Sequence, residues 1–452
     1  MKKLLFLFLF SNLIYSQCWK IVEASYSYHC IGIQTDGTLW TWGYNGEGQL
    51  GDGTLINKEV PTQIGAGTNW KTVSNNFSNS FGIKTNGTIW GWGNNSKGQL
   101  GIGNLVNKLI PTQIATATNW EAVSVGQECV LAIKTNGTLW AWGDNTSGRL
   151  GDGSIVDKLA PIQIGTDTNW VKVSAGIFSF GIKSDGTLWS WGGLNGTNAN
   201  GSYFPIQVGT DTWMDIRSTY LHAIGLKTNG TIWAWGRNTS GELGRGNNLN
   251  NATNYLATQI GTATNWKAIS AGTNHSMAIK TNGTLWSWGE NVFGQYGNGS
   301  TISSFVPDQI GTLTNWRSIT LGLAFSTGFK VANDRLWVWG QDNQDALGNG
   351  TNGDSLIPVG IGTCTTLGDE NLIISNTDFK IYPNPVKVEL NIDNFLKLEI
   401  QEINISDVLC KVIFKQNSNF SKIDIQNLEK GIYTLSILST ENRIFHTKII
   451  KN

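Results

Sequence analysis

The sequence predicts an all-β protein built on a sevenfold repeat, with a smaller β unit at its C-terminal end. Three observations carry this reading. The stretch Thr281-Asn282-Gly283-Thr284-Leu285-Trp286-Ser287-Trp288-Gly289 has seven copies, whose cores start at Trp40, Trp90, Trp140, Trp189, Trp233, Trp286 and Trp337. Successive copies lie 50, 50, 49, 44, 53 and 51 residues apart, a period that marks a repeat architecture. After Thr366 the composition changes: tryptophan disappears and lysine becomes frequent.

Within each unit, Asn282-Gly283 between two threonines is a strong hairpin signal, because a two-residue type I′ loop needs positive φ at both central positions. A loop of those two residues makes Lys280 oppose Leu285, Ile279 oppose Trp286, Ala278 oppose Ser287 and Met277 oppose Trp288. The hairpin then has a bulky face with Ile279, Trp286 and Trp288 and a small face with Ala278 and Ser287. The first small position is Gly32, Gly82, Ala132, Gly181, Gly225, Ala278 and Gly328 along the chain. Broad faces stacked on the small faces of the next unit fill space at interior density. A third tryptophan precedes each hairpin, at Trp19, Trp70, Trp120, Trp170, Trp213, Trp266 and Trp316, so the repeat accounts for all 21 tryptophans. They belong to the architecture and are no sign of a ligand cage.

Taken from the start, residues 1–16 carry two lysines, the apolar run Leu4-Leu5-Phe6-Leu7-Phe8-Leu9-Phe10 and a short polar end. The run is too short for a permanent transmembrane anchor and reads as a signal peptide cleaved near Ser16-Gln17. The chain is therefore expected outside the cytoplasm. From Gln17 to about Thr366 each repeat has an upstream strand, the hairpin, a glycine-rich turn such as Gly98-Gln99-Leu100-Gly101, and an extended segment opened by proline at Pro61, Pro111, Pro161, Pro205, Pro307 or Pro358. Net charge is zero, 14% of residues are charged and no basic cluster is present, which argues against nucleic acid.

Chemistry-bearing residues are sparse. His29, His222 and His275 share one repeat position, filled elsewhere by Asn79, Glu128, Phe178 and Phe325, and no two histidines have zinc spacing within a repeat. The repeated Asp-Gly-Thr lacks the alternating acids of a calcium loop. No nucleophile with its base and no phosphate-cradling loop is recognisable. No catalytic residue, metal site or cofactor is expected.

Repeats of about 50 residues with a hairpin ending Trp-Gly, then Gly-Gln-Leu-Gly and a proline segment, resemble the regulator-of-chromosome-condensation repeat. The resemblance covers residues 17 to about 366 and implies a seven-bladed β-propeller. Kelch diglycines and WD dipeptides are absent. The family's founder exchanges nucleotide on a small GTPase and touches chromatin, neither of which an exported protein meets. A secreted bacterial propeller of the same repeat type, an inhibitor of β-lactamase, binds a protein through loops on one face, so the resemblance implies protein recognition. The departures from the repeat are then the candidate binding loops: Asn195, Asn198 and Asn200 in repeat four, and Asn248, Asn250 and Tyr255 in repeat five. The shared histidine position is structural in the family.

In a closed ring an eighth repeat superimposes on the first, and aligning Gly261-Thr262-Ala263 with Gly362-Thr363-Cys364 brings Cys364 within about two residues of the place of Cys18. A Cys18–Cys364 disulfide is expected to fasten the ring.

After a linker at 367–377, residues 378–452 show Tyr382-Pro383-Asn384-Pro385, short alternating runs, and Gly431-Ile432-Tyr433-Thr434-Leu435. This resembles the C-terminal sorting domain of the type IX secretion system of Bacteroidetes, with Cys410 where that family usually has glycine. The resemblance implies a bacterial host, a small antiparallel β-sandwich, the secretion machinery as partner, and a final place in the medium or on the cell surface. The expected protein is an exported, non-enzymatic propeller that recognises another protein. A glycan-binding surface protein and a secreted hydrolase or lyase are the alternatives; the last needs two converging carboxylates.

Overall fold

The computed structural model describes residues 19–193, 201–219, 222–246, 254–331, 333–361, 379–394, 399–406, 412–418, 420–439 and 444–452. They fall into two compact units, within 17–364 and within 365–452.

The first blade is an antiparallel sheet of four consecutive strands, β1 (Trp19–Glu23), β2 (His29–Gln34), β3 (Leu39–Gly43) and β4 (Lys58–Gln63), in that order. The same sheet recurs through seven blades. Blades four and five share one long strand, Ile206–Ser218, which is the outer strand of one and the inner strand of the next. That sharing accompanies the shortest repeat spacing. Inner strands of successive blades neighbour one another around the axis, and the last inner strand, Trp316–Leu321, returns to β1. Among the described residues no strand is exchanged to close the ring.

The hairpin register differs from the expected one by a single residue. Ile279 opposes Leu285, Ala278 opposes Trp286, Met277 opposes Ser287 and Ser276 opposes Trp288. The cause lies in the turn. Only Gly283 of the Asn-Gly pair has positive φ, at 78°, and its N–H donates to the Lys280 carbonyl at 2.8 Å. That is a three-residue loop with a left-handed glycine rather than a type I′ loop. Asn282 accepts from the Thr284 hydroxyl at 2.8 Å, and Thr284 accepts from the Trp286 indole at 2.9 Å, so both threonine and asparagine are consumed in holding the turn.

A one-residue shift moves side chains to the other face, and so the expected nesting of bulky on small faces is wrong. Each blade has an indole face and an aliphatic face, and the aliphatic face packs on the indole face of the next blade. Ile31, Ile33, Leu39 and Ile64 of blade one meet Trp70, Trp90 and Trp92 of blade two. Phe329, Leu336, Val338 and Ile361 of blade seven meet Trp19, Trp40 and Trp42 of blade one in the same way. The ring therefore closes by repeating its own interface. The small position serves the blade's own inner strand: a β-carbon on Gly82 would lie 2.6 Å from Cζ3 of Trp70.

The three indoles of a blade meet edge to face, with Trp70 at 6.4 Å from Trp90 and 6.1 Å from Trp92. In blades two to seven a lysine caps the half-buried indole; Lys84 sits 4.0 Å from the Trp90 ring centroid and Lys227 3.4 Å from that of Trp233. Blade one has Gln34 there. The second glycine of the turn packs on the next blade's buried indole, as Gly51 does on Trp92, whose Nε1 donates to the Gln49 carbonyl at 2.9 Å. Prolines such as Pro61 lie inside the outer strand, not at its start, where pairing with the third strand is interrupted.

In the second unit, Phe379–Tyr382, Glu389–Asn394 and Lys422–Asp424 form one sheet. Val412–Gln416, Ile400–Ser406, Gly431–Ser439 and Ile444–Lys451 form the other. Leu390, Ile392 and Ile423 of the first pack with Ile403, Ile405, Leu435 and Ile449 of the second, which makes the expected sandwich.

Candidate functional site

Turns after each inner strand and loops after each third strand emerge on one rim, since antiparallel order brings them to the same end. On that rim, blades seven, one, two and three surround a groove of about 420 Å³. Its walls are Tyr28, Tyr44 and Phe77, with Glu47, Glu128, Asn94, Gln127, Asn343 and Gln344 between them. Phe77 is 42% exposed and Tyr26 extends its ring contact, at 6.2 Å between centroids. Glu47 accepts from the amides of Asn94 and Asn107 at 3.1 Å each. Among the described residues no lysine or arginine lines the groove.

Sequence reasoning grouped Glu128 with the structural histidines, and the structure separates them. His29 meets the Ser80 hydroxyl of the next blade at 2.8 Å, and Ser80 donates to the Gln49 carbonyl at 2.8 Å. His222 and His275 repeat this with Ser276 and Ser326 at 3.0 and 3.1 Å. Burial lowers His29 and His275 to about 3 and His222 to about 4, which keeps the rings neutral. Glu128 instead faces the groove. The available signal was that Tyr28, Glu47 and Glu128 each differ from their counterparts in most other repeats.

The axial channel is lined by inner-strand residues such as Lys71 and Glu121, paired at 2.7 Å. Four residues after each inner-strand tryptophan stands Ser74, Ser124, Ser174, Ser270 or Thr320, except for Glu23 in blade one and Arg217 in blade five. Burial raises the Glu23 carboxyl above the usual range while the Arg217 guanidinium opposes the rise, and Asp215, 3.5 Å from Arg217, adds to it. Asp215 also pairs with Lys172 at 3.2 Å.

Asn195, Asn198, Asn200, Asn248 and Asn250 lie outside the described residues. Tyr255 is on strand Asn254–Gln259, and its side chain is likewise outside the description. So are residues 1–16, Cys18, Cys364 and Cys410. Among the described residues, Cys30 and Cys129 are buried free thiols, and no group of three metal-ligating side chains is present. In the second unit the Asn384 side chain accepts from the Ile450 N–H at 2.9 Å, and Val386 bridges to Lys451, so the segment around Pro383 and Pro385 clasps the last strand. The Tyr433 hydroxyl, two residues beyond Gly431, donates to the Glu429 carbonyl at 2.8 Å, and Tyr382 is 39% exposed.

A seven-bladed ring of Trp-Gly repeats followed by a β-sandwich defines the class of protein. Residues 36–75, 86–133, 136–179, 229–279 and 282–327 match the regulator of chromosome condensation (RCC1) repeat, just over half of the chain, and the chain belongs to that family. Residues 380–452 match the secretion system C-terminal sorting domain, which marks the protein as secreted or cell-surface. Among the described residues no helix is long and apolar enough to cross a membrane.

Among solved structures, yeast Prp20p from Saccharomyces cerevisiae superposes with a TM-score of 0.65 at 18% identity, over 77% of this chain and 89% of that one. Human WBSCR16 gives 0.64 at 18%, over 74% and 94%. Both establish the fold. Ulvan lyase NLR42 of Nonlabens ulvanivorans is 28% identical over 93 residues, and an endo-acting ulvan lyase of Formosa agariphila is 32% identical over 85. These stretches cover 20% and 18% of this chain and 16% of either lyase, so the chain spans about one sixth of those relatives.

Proposed function

We propose that the ring is an exported, non-enzymatic scaffold that recognises another protein. The observation that supports this is a belt of exposed apolar side chains on the rim that carries the groove. Leu55, Ile56, Leu105, Val106, Ile155 and Val156 occupy equivalent loop positions, with Ile56 67% exposed, and Ile302 continues the belt at 77%. The loops of blades one and two are fixed to the next blade's outer strand, by the Gly53 N–H to the Leu109 carbonyl at 2.9 Å and the Gly103 N–H to the Leu159 carbonyl at 2.8 Å, and the first carries the belt on to exposed Ile110. Apolar surface held out by rigid loops and rimmed by polar residues is characteristic of protein-binding sites. The sorting domain is its address, and the secretion machinery its partner during export.

A glycan reading has its own support in the exposed aromatics at the groove. The ulvan lyase matches extend to too little of either chain to carry a polysaccharide-cleaving activity over, and in the channel the carboxylates of Glu23 and Asp215 share the field of Arg217. Pull-down with the full chain from the host's surroundings, beside a glycan array, tests the reading. A protein captured by the native ring and lost with Ile56→Asp and Val106→Asp is the expected result. Glycan capture without a protein partner would overturn it.

A further inference from the structure

We propose that the groove receives a basic segment of the protein partner, seating a lysine or arginine side chain between its aromatic walls and its two carboxylates. This rests on the protein-recognition reading and names the partner's chemistry at one place on the rim.

The groove's composition is one-signed. Glu47 takes two neutral amide bonds, which orient its carboxylate and leave its charge uncompensated. Glu128 has neither hydrogen bond nor ion pair from its side chain among the described residues, and the lining has no cation. Some carboxylates elsewhere on the ring are paired, Asp52 with Lys58, Asp144 with Arg149, Asp152 with Lys158 and Glu242 with Arg237, all within 3.1 Å, whereas others such as Asp157 and Glu290 accept from neutral groups. Glu47 and Glu128 thus bring two carboxylates without an ion pair into one partly enclosed cavity that has no cation in its lining.

The aromatic walls add attraction of the same sign. The ring faces of Tyr28, Tyr44 and Phe77 present negative quadrupole potential, and a cation between such faces and carboxylates gains from both. The fold already uses this combination on the opposite rim, where Lys183 lies 3.6 Å from the Trp189 centroid and 2.8 Å from Asp167. At the groove the rings and the carboxylates are present and the ammonium is supplied from outside. The volume suits one long side chain with its flanking backbone. An anionic polysaccharide is repelled there, and the hydroxyls of a neutral sugar can hydrogen-bond the carboxylates but bring no counter-charge to them.

The test uses the full exported chain and three probes: a Lys-Gly repeat peptide, its Glu-Gly counterpart and a neutral cello-oligosaccharide, each titrated by calorimetry. The Lys-Gly peptide is expected to bind, to weaken as salt rises, and to lose about tenfold or more in affinity in the Glu47→Gln/Glu128→Gln variant. Phe77→Ala, an exposed position, should weaken it at unchanged melting temperature. Equal affinity of native and double-variant protein for the Lys-Gly peptide, or binding of the sugar alone, overturns the proposal. A partner protein retained by the double variant but lost with Ile56→Asp overturns the groove while leaving the scaffold standing; loss of all protein capture by the native ring overturns both.

Discussion

Glu23 of the first blade and Arg217 of the fifth hold the same place in their repeats, and their opposite charges interact across the channel. The other five blades have serine or threonine there, and Ser74 and Ser174 accept bonds from backbone N–H groups of the following blade at 3.2 and 2.8 Å. Two blades thus trade a neighbouring-strand stitch for a long-range charge pair. In a double-mutant cycle, Arg217→Ser should destabilise by leaving the Glu23 carboxyl without its counter-charge, and should cost less in a Glu23→Ser background, with a coupling of about 0.5 to 3 kcal/mol between them. Strict additivity in denaturant melts would show that the two charges act independently.

The small position of each hairpin is set by its own inner tryptophan. Gly82→Ala forces a β-carbon against Trp70, and overpacking of this kind costs about 1 to 3 kcal/mol. Ala132→Gly in blade three, where the alanine already coexists with Trp120, should cost about 1 kcal/mol or less through backbone entropy. Urea unfolding ranks the two, and a Gly82→Ala protein as stable as the native one would refute the packing argument.

The buried indoles are not equivalent. Trp92 donates to the Gln49 carbonyl, whereas the Trp42 nitrogen has no partner among the described residues. Both changes to phenylalanine leave similar voids, so Trp92→Phe should exceed Trp42→Phe by about 1 kcal/mol, the net worth of one hydrogen bond. Equal losses would mean the indole bond contributes nothing.

Acid should weaken the ring before its carboxylates titrate. His29, His222 and His275 have folded values of about 3 to 4, below the ordinary 6.5, so the unfolded chain takes up protons that the folded chain refuses. Their contribution is complete above about pH 6.5 and declines as pH falls towards the folded values, at about 1.4 kcal/mol per histidine for each unit in between. Melting temperature should drop from pH 7 to pH 5.5, and less steeply in His275→Asn, which takes the residue of blade two. A flat profile over that window would contradict the neutral, buried assignment.

We also predict the Cys18–Cys364 disulfide. Trp19 and Ile361, which flank these cysteines, share one core cluster, so both ends of the ring meet at the closing interface. Non-reducing peptide mapping should recover the linked pair, and reduction should lower stability by up to about 5 kcal/mol. Burial raises Cys129 to about 11 and pushes Cys30 well above the ordinary thiol value, so both should resist thiol reagents until unfolding. Free Cys18 and Cys364 in oxidised, exported protein would end this proposal.

The candidate site was less legible than the fold. Tyr28 and Gln344 are more than three hundred residues apart in sequence and line one groove because blade seven closes on blade one. The departures of repeats four and five from the repeat pattern stand out in the sequence, whereas the groove is made by single-residue departures in loops of ordinary length, such as Tyr44, Glu47 and Glu128.

The sequence by itself determined the number of blades, the tryptophan and glycine positions, the presence of each hairpin and the sorting domain, because those depend on local periodicity and turn chemistry. Tertiary structure alone decided which face of each hairpin meets which neighbour. Asn-Gly fits two turn geometries that differ by one residue in register, and the choice falls to the hydrogen bond from Gly283 to Lys280 and to the space that each inner indole requires. It also decided that Glu23 meets the field of Arg217 and that four blades share one groove, since closure of a ring joins residues that no local pattern connects.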